Sequence, residues 1–104
     1  MLFDRAWAEA IFAQALRRLE AEFTSDGKAD QFLFLRPFLS RVPAPREYDS
    51  VAASLRIRPA LMATVVSRLR QRFRQLVRAE IAHTVARLPE VDEEMRYLVS
   101  LLVM

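Results

Sequence analysis

The chain of 104 residues is 53% hydrophobic and 28% charged, which supplies one packed core and argues against a disordered segment. Its apolar runs are far too short to cross a bilayer, and no basic start followed by an apolar segment and a small-residue cleavage site marks a leader, so a cytoplasmic protein without membrane contact is expected. The net charge of +3 is uneven: residues 50–79 hold seven arginines and no acid, leaving −4 for the remainder, and the absence of cysteine excludes disulfides.

The pattern predicts helices throughout and no strand: an all-α domain, a small bundle of about five helices. The first is expected over about residues 4–23, with Trp7, Ile11, Phe12, Leu16, Leu19 and Phe23 inward and Arg5, Glu9, Arg17, Arg18, Glu20 and Glu22 on the other side. Gly27 is the single glycine, and a left-handed helix cap accounts for it. A second helix over about residues 28–40 buries Phe32, Leu35, Phe38 and Leu39, with Pro37 expected to kink or shorten it. Together residues 1–40 form supporting helices. Val42, Pro43, Ala44, Pro45 and Arg46 then make a stiff, extended connector.

Residues 48–86 read as a helix-turn-helix with an extended recognition helix. The first helix, about residues 48–55, is two turns long and depends on docking for its stability. Counted from Tyr48, the apolar positions of such a unit fall on Val51, Leu55, Ile57, Met62 and Val65, and its small position falls on Ala52. The turn position that usually holds glycine is Arg56. Pro59 suits the first position of the next helix, where its missing donor costs nothing. That helix is expected to reach about residue 86, roughly 40 Å at 1.5 Å per residue. Its apolar stripe is Met62, Val65, Val66, Leu69, Phe73, Leu76, Val77 and Ile81; opposite lie Ala60, Thr64, Ser67, Arg68, Gln71, Arg74 and Arg78. A C-terminal packing helix over 90–104 is expected to open on Asp92, Glu93 and Glu94 and to pack through Met95, Leu98, Leu101 and Leu102.

Three segments taken together resemble a known family. They are residues 48–55 (YDSVAASL), residues 66–74 (VSRLRQRFR) and residues 78–85 (RAEIAHTV), with further likeness at Trp7, Leu16, Gly27, Lys28, Phe32, Pro37, Phe38, Leu39 and residues 91–96 (VDEEMR). Their order and spacing are similar to the carboxy-terminal region four of bacterial extracytoplasmic-function sigma factors. The resemblance implies a domain that recognises the upstream (−35) promoter element of double-stranded DNA and docks on the beta flap of the RNA polymerase core. Carried onto this sequence, the recognition helix begins at Pro59, with Ala60, Ala63, Thr64, Ser67 and Arg68 facing the bases or nearby phosphates; Arg56, Arg58, Gln71, Arg72 and Arg74 complete the candidate DNA-binding set. Arg58, Pro59, Ala60 and Leu61 stand where the family often has polar residues, so this surface suits phosphate better than base edges. The separate domain that opens DNA in that family has no counterpart in these residues, so the expected activities are DNA binding, flap occupation or pairing with another regulator.

Enzymatic chemistry is not expected. His83 stands without a cysteine or a paired carboxylate site, no glycine-rich phosphate loop exists, and no cofactor or metal is implied. The rival expectation is a helical protein-interaction module, or a homo-oligomer, that has lost sequence-specific DNA reading. Arg56 and the alanine-rich start of the fourth helix favour it.

Overall fold

In a computed structural model, residues 5–87 are described together with Glu93, Arg96, Tyr97, Ser100 and Leu101. Among these residues the protein is all-helical, with α1 (Arg5–Ser25), α2 (Ala29–Leu35), α3 (Glu47–Leu55) and α4 (Met62–Arg87). Short 3₁₀ turns at Arg36–Leu39 and Pro59–Leu61 complete α2 and precede α4. The expected helix over 90–104 otherwise lies outside the described residues; the five described there are helical.

One apolar cluster joins the four helices. Ala15 and Leu19 of α1 meet Phe32 and Leu35 of α2, Ala52 of α3, and Met62, Val66, Leu69 and Leu76 of α4, with Phe38 closing the end of α2. α1 against α4 is the most extensive contact. The expected stripe of α4 is buried or half-buried throughout, and Ala52 is fully buried where α3 approaches its neighbours. Val51, Leu55, Ile57 and Val65 are half-buried against the same cluster. On α1 the reading needs correction at two places. Phe12 is 52% exposed, stacked at 6.3 Å on Phe73. Arg18 and Glu22, expected on the solvent side, instead turn toward α4: Arg18 Nη1 lies 3.2 Å from the buried carboxylate of Glu80. A buried carboxylate needs such a partner, and helical periodicity of apolar residues alone does not show it.

Pro37 has the foreseen effect: α-helical bonding stops at Leu35 and a 3₁₀ turn carries the chain to Leu39. The following connector is less extended than its prolines suggest. Glu47 N–H donates to the Ala44 carbonyl (3.0 Å) across Pro45 and Arg46, and Arg46 has φ 64° and ψ 4°. This is the geometry of a type II turn with proline leading and a left-handed residue following. The Glu47 carboxylate holds the turn from below. It accepts the Ala44 N–H at 3.0 Å and two bonds from Arg41 at 2.6 Å each, and Arg41 also lies 5.5 Å from the Phe38 ring centre.

Two helix ends use the same backbone device with different residues. After α1, Gly27 (φ 72°) donates to Thr24 O at 3.0 Å and Lys28 donates to Phe23 O at 2.8 Å. After α3, Arg56 (φ 59°, ψ 42°) donates to Ala53 O at 3.3 Å and Ile57 donates to Ala52 O at 3.0 Å. Both are Schellman closures, in which the last carbonyls are satisfied by a left-handed residue and its successor. The turn position where glycine is usual thus holds an arginine in the left-handed conformation.

A left-handed L residue costs roughly 1–2 kcal/mol, while the added freedom of glycine in the unfolded chain costs roughly 0.4–1 kcal/mol. Arg56→Gly is therefore expected to raise the thermal midpoint by a few degrees and Gly27→Ala to lower it; the Cβ added at Gly27 meets nothing within 4 Å, so backbone strain alone sets its cost. A lower midpoint for Arg56→Gly would show that the arginine makes a compensating contact. The Arg41 hydrogen bonds, with the Ala44 N–H, hold the Glu47 carboxyl down from 4.5 to about 2. Because the folded value is depressed, its stabilisation is complete above the ordinary value and is lost as pH falls toward about 2. Thermal melts across that range should show a declining midpoint, and Glu47→Gln should flatten the decline.

Candidate nucleic-acid interface

The rotation of α4 about its axis decides which arginines reach solvent. With its apolar stripe turned to α1 and the 3₁₀ turn after α2, successive residues at three and four positions apart form an outward strip of Thr64, Ser67, Arg68, Gln71, Arg74, Gln75 and Arg78, all exposed. Arg56 lies in the turn before it, and Arg58 follows with extended backbone (φ −67°, ψ 134°). Ala60 is exposed within the 3₁₀ turn that leads into α4.

The seven arginines of residues 50–79 divide into two groups. Arg70 and Arg72 are two positions apart and so leave α4 on opposite flanks. Arg70 Nε donates to Phe38 O at 2.8 Å and its Nη2 to Arg41 O at 3.2 Å, satisfying carbonyls where the 3₁₀ turn after α2 gives way to the connector. Arg72 reaches across to α1, where Nε donates to Glu22 Oε1 at 2.9 Å and Nη2 to Oε2 at 2.5 Å; Nη1 bonds Gln75 at 3.1 Å. That bidentate pair holds the Glu22 carboxyl below its ordinary range.

The remaining five, Arg56, Arg58, Arg68, Arg74 and Arg78, are exposed, and their side chains make no hydrogen bond or ion pair with the described residues. Of the nine residues singled out from the sequence, Thr64, Ser67, Arg68, Gln71 and Arg74 thus share one strip, and Arg56, Arg58 and Ala60 stand at its N-terminal end. Arg72 is exposed but engaged with Glu22 and Gln75. Arg78, expected on this face, and Gln75, which was not, extend the strip by one turn; the spacing of Gln75 from Gln71 was the available signal. The inward engagement of Arg70 had none, because its partners are backbone carbonyls.

The strip has little base-reading chemistry at its start: Ala60, Ala63 and Thr64 offer methyl groups and one hydroxyl. Ser67, Gln71 and Gln75 add polar groups farther along. A separate apolar groove of about 620 Å3 lies among Phe12, Leu16, Leu33, Pro37, Leu39 and Phe73, with Arg36 as its one charged lining residue. Leu33 is 65% exposed and Phe34 beside it 44%. Among the described residues no helix is long and apolar enough to cross a membrane, and no three His, Asp or Glu side chains form a metal cluster.

No protein-family model, no curated protein and no solved structure matches this chain.

Proposed function

We propose that the protein is a DNA-binding domain of sigma-factor region-four type, in which α3, the turn at Arg56 and α4 act as a helix-turn-helix. In this reading α4 enters the major groove of the upstream promoter element and α3 braces it. The observation that carries the reading is the set of five arginines whose side chains have no partner among the described residues, placed along and before the outward strip of α4. Guanidinium groups left unpaired beside one exposed helix face suit phosphate oxygens. The left-handed Arg56 supports the same reading, since the turn keeps the path that glycine provides in such units. The apolar groove at Phe12, Leu33 and Phe73 is the surface we assign to the beta flap of RNA polymerase.

The groove also supports a second reading, a helical interaction module or dimer without sequence-specific DNA reading. The exposed Phe12 and Leu33 that line it, with exposed Phe34 next to Leu33 in the sequence, are the observation in favour. The two readings separate by salt dependence and by which arginines matter.

Fluorescence anisotropy with promoter-derived and random duplexes, at about 50 and 200 mM salt, tests the proposal. Arg68→Ala and Arg74→Ala should each weaken binding to both duplexes and lower the log-log salt slope by about 0.9, the worth of one phosphate contact. Ser67→Ala should change sequence preference more than affinity. Arg70→Met should leave the salt slope unchanged and lower thermal stability, by about 1–3 kcal/mol if the freed carbonyls stay dry. Undiminished binding in the Arg68→Ala and Arg74→Ala variants would contradict the assigned face.

A further inference from the structure

Arg68 and Arg72 stand four residues apart on α4, one free and the other bound to Glu22. Both line a cleft of about 310 Å3 where α1 ends, α2 begins and α4 passes. Phe23 and Val65 contribute to its apolar floor, while Glu22, Asp26 and Lys28 supply the other charged lining groups. Residues at this spacing are neighbours on the helix surface, with Cβ atoms roughly 5–6 Å apart, so both guanidinium groups can reach one small anion.

The form of the Glu22 contact says which anion. The carboxylate presents two oxygens to the Nε and Nη2 edge of Arg72, at 2.9 and 2.5 Å. The two non-bridging oxygens of a phosphodiester offer the same fork. We propose that Arg68 and Arg72 form a seat for one DNA backbone phosphate, that Lys28 across the cleft is its third cation, and that Glu22 fills the seat in the free protein as an internal substitute for the phosphate. Glu22 is then a built-in competitor that lowers DNA affinity.

This inference rests on the DNA-binding reading and extends it from α4 to the end of α1. The pair is open enough to exchange, with side-chain exposures of 46% for Arg72 and 39% for Glu22. Exposed pairs are held weakly, so a phosphate brought by the rest of the interface can displace the carboxylate. Asp26 brings a second negative charge to the cleft but holds no cation, which makes it the natural control.

The test is titration of a fluorescent DNA duplex at about 50 mM salt with the full chain carrying Glu22→Gln, Asp26→Asn, Lys28→Ala, Arg68→Ala, Arg72→Gln, or Glu22→Gln with Arg72→Gln. Circular dichroism establishes that each variant keeps its helices. Freeing Arg72 should tighten binding about two- to five-fold in Glu22→Gln, the range an exposed pair can withhold. Asp26→Asn removes the same charge without releasing an arginine and should give a smaller gain. In the Arg72→Gln background Glu22→Gln should give no more than Asp26→Asn does, and Lys28→Ala should weaken binding of the wild-type chain. Equal gains from Glu22→Gln and Asp26→Asn, or weaker binding by Glu22→Gln, would overturn the competitor role while leaving DNA binding intact. Absence of salt-dependent binding in the wild type and in Arg68→Ala alike would instead overturn the DNA reading, and this proposal with it.

Discussion

Burial of the apolar stripe of α4 against α1, the 3₁₀ turn after α2, and α3 is the constraint on which the rest of the structure depends. Met62, Val66, Leu69 and Leu76 are each nearly fully removed from solvent, and burying side chains of this size is worth about 1.5–3 kcal/mol apiece. An exposed ion pair contributes about 0–1 kcal/mol. Packing therefore sets the rotation of α4, and the polar contacts act within that setting. Arg70 and Arg72 fall on the flanks and find partners on the connector and on α1, while the side chains of Arg68, Arg74 and Arg78 are carried outward without partners among the described residues. The seven arginines of residues 50–79, alike in the sequence, are sorted into engaged and outward-facing ones by a hydrophobic interaction.

α3 is the element most dependent on its surroundings. Nine residues make a marginal helix, and both of its ends are bounded by arginines in the left-handed region. The strain at Arg46 and Arg56 is offset by fixed neighbours: the Glu47 cluster with Arg41 and Ala44 on one side, and the Ile57 closure against the core on the other. Arg70 joins this arrangement from α4 by binding the carbonyl of Arg41, whose side chain holds Glu47. The orientation of α3 relative to α4 is thus tied through a chain of hydrogen bonds as well as through Ala52.

Much of this was legible in the sequence, for identifiable reasons. The stripe of α4, the shortening effect of Pro37, the left-handed Gly27 and the small Ala52 follow from periodicity, ring chemistry and residue size, which act locally. Features set by tertiary partners were not legible. Phe12 satisfies the helical period yet remains half in solvent, because α1 is covered on a narrower face than its apolar pattern spans. Arg18 and Glu22 look like solvated charges until Glu80 and Arg72 arrive from 50 or more residues away. The proline-rich connector suggested extended backbone, whereas the Glu47 carboxylate closes it into a turn. On α4 the outward strip was readable from spacing, but which of the neighbouring arginines are already engaged was not.

The most direct test of the account is a heteronuclear NMR titration of the labelled full chain with a promoter-like duplex, following backbone amides and arginine Nε–H groups. The account predicts that perturbations concentrate on the turn at Arg56 and along Thr64, Ser67, Arg68, Gln71 and Arg74, that the Arg72 signal moves as it leaves Glu22, and that Arg70 stays in place. Perturbations confined to the groove at Phe12, Leu33 and Phe73, with the outward strip of α4 silent, would contradict it.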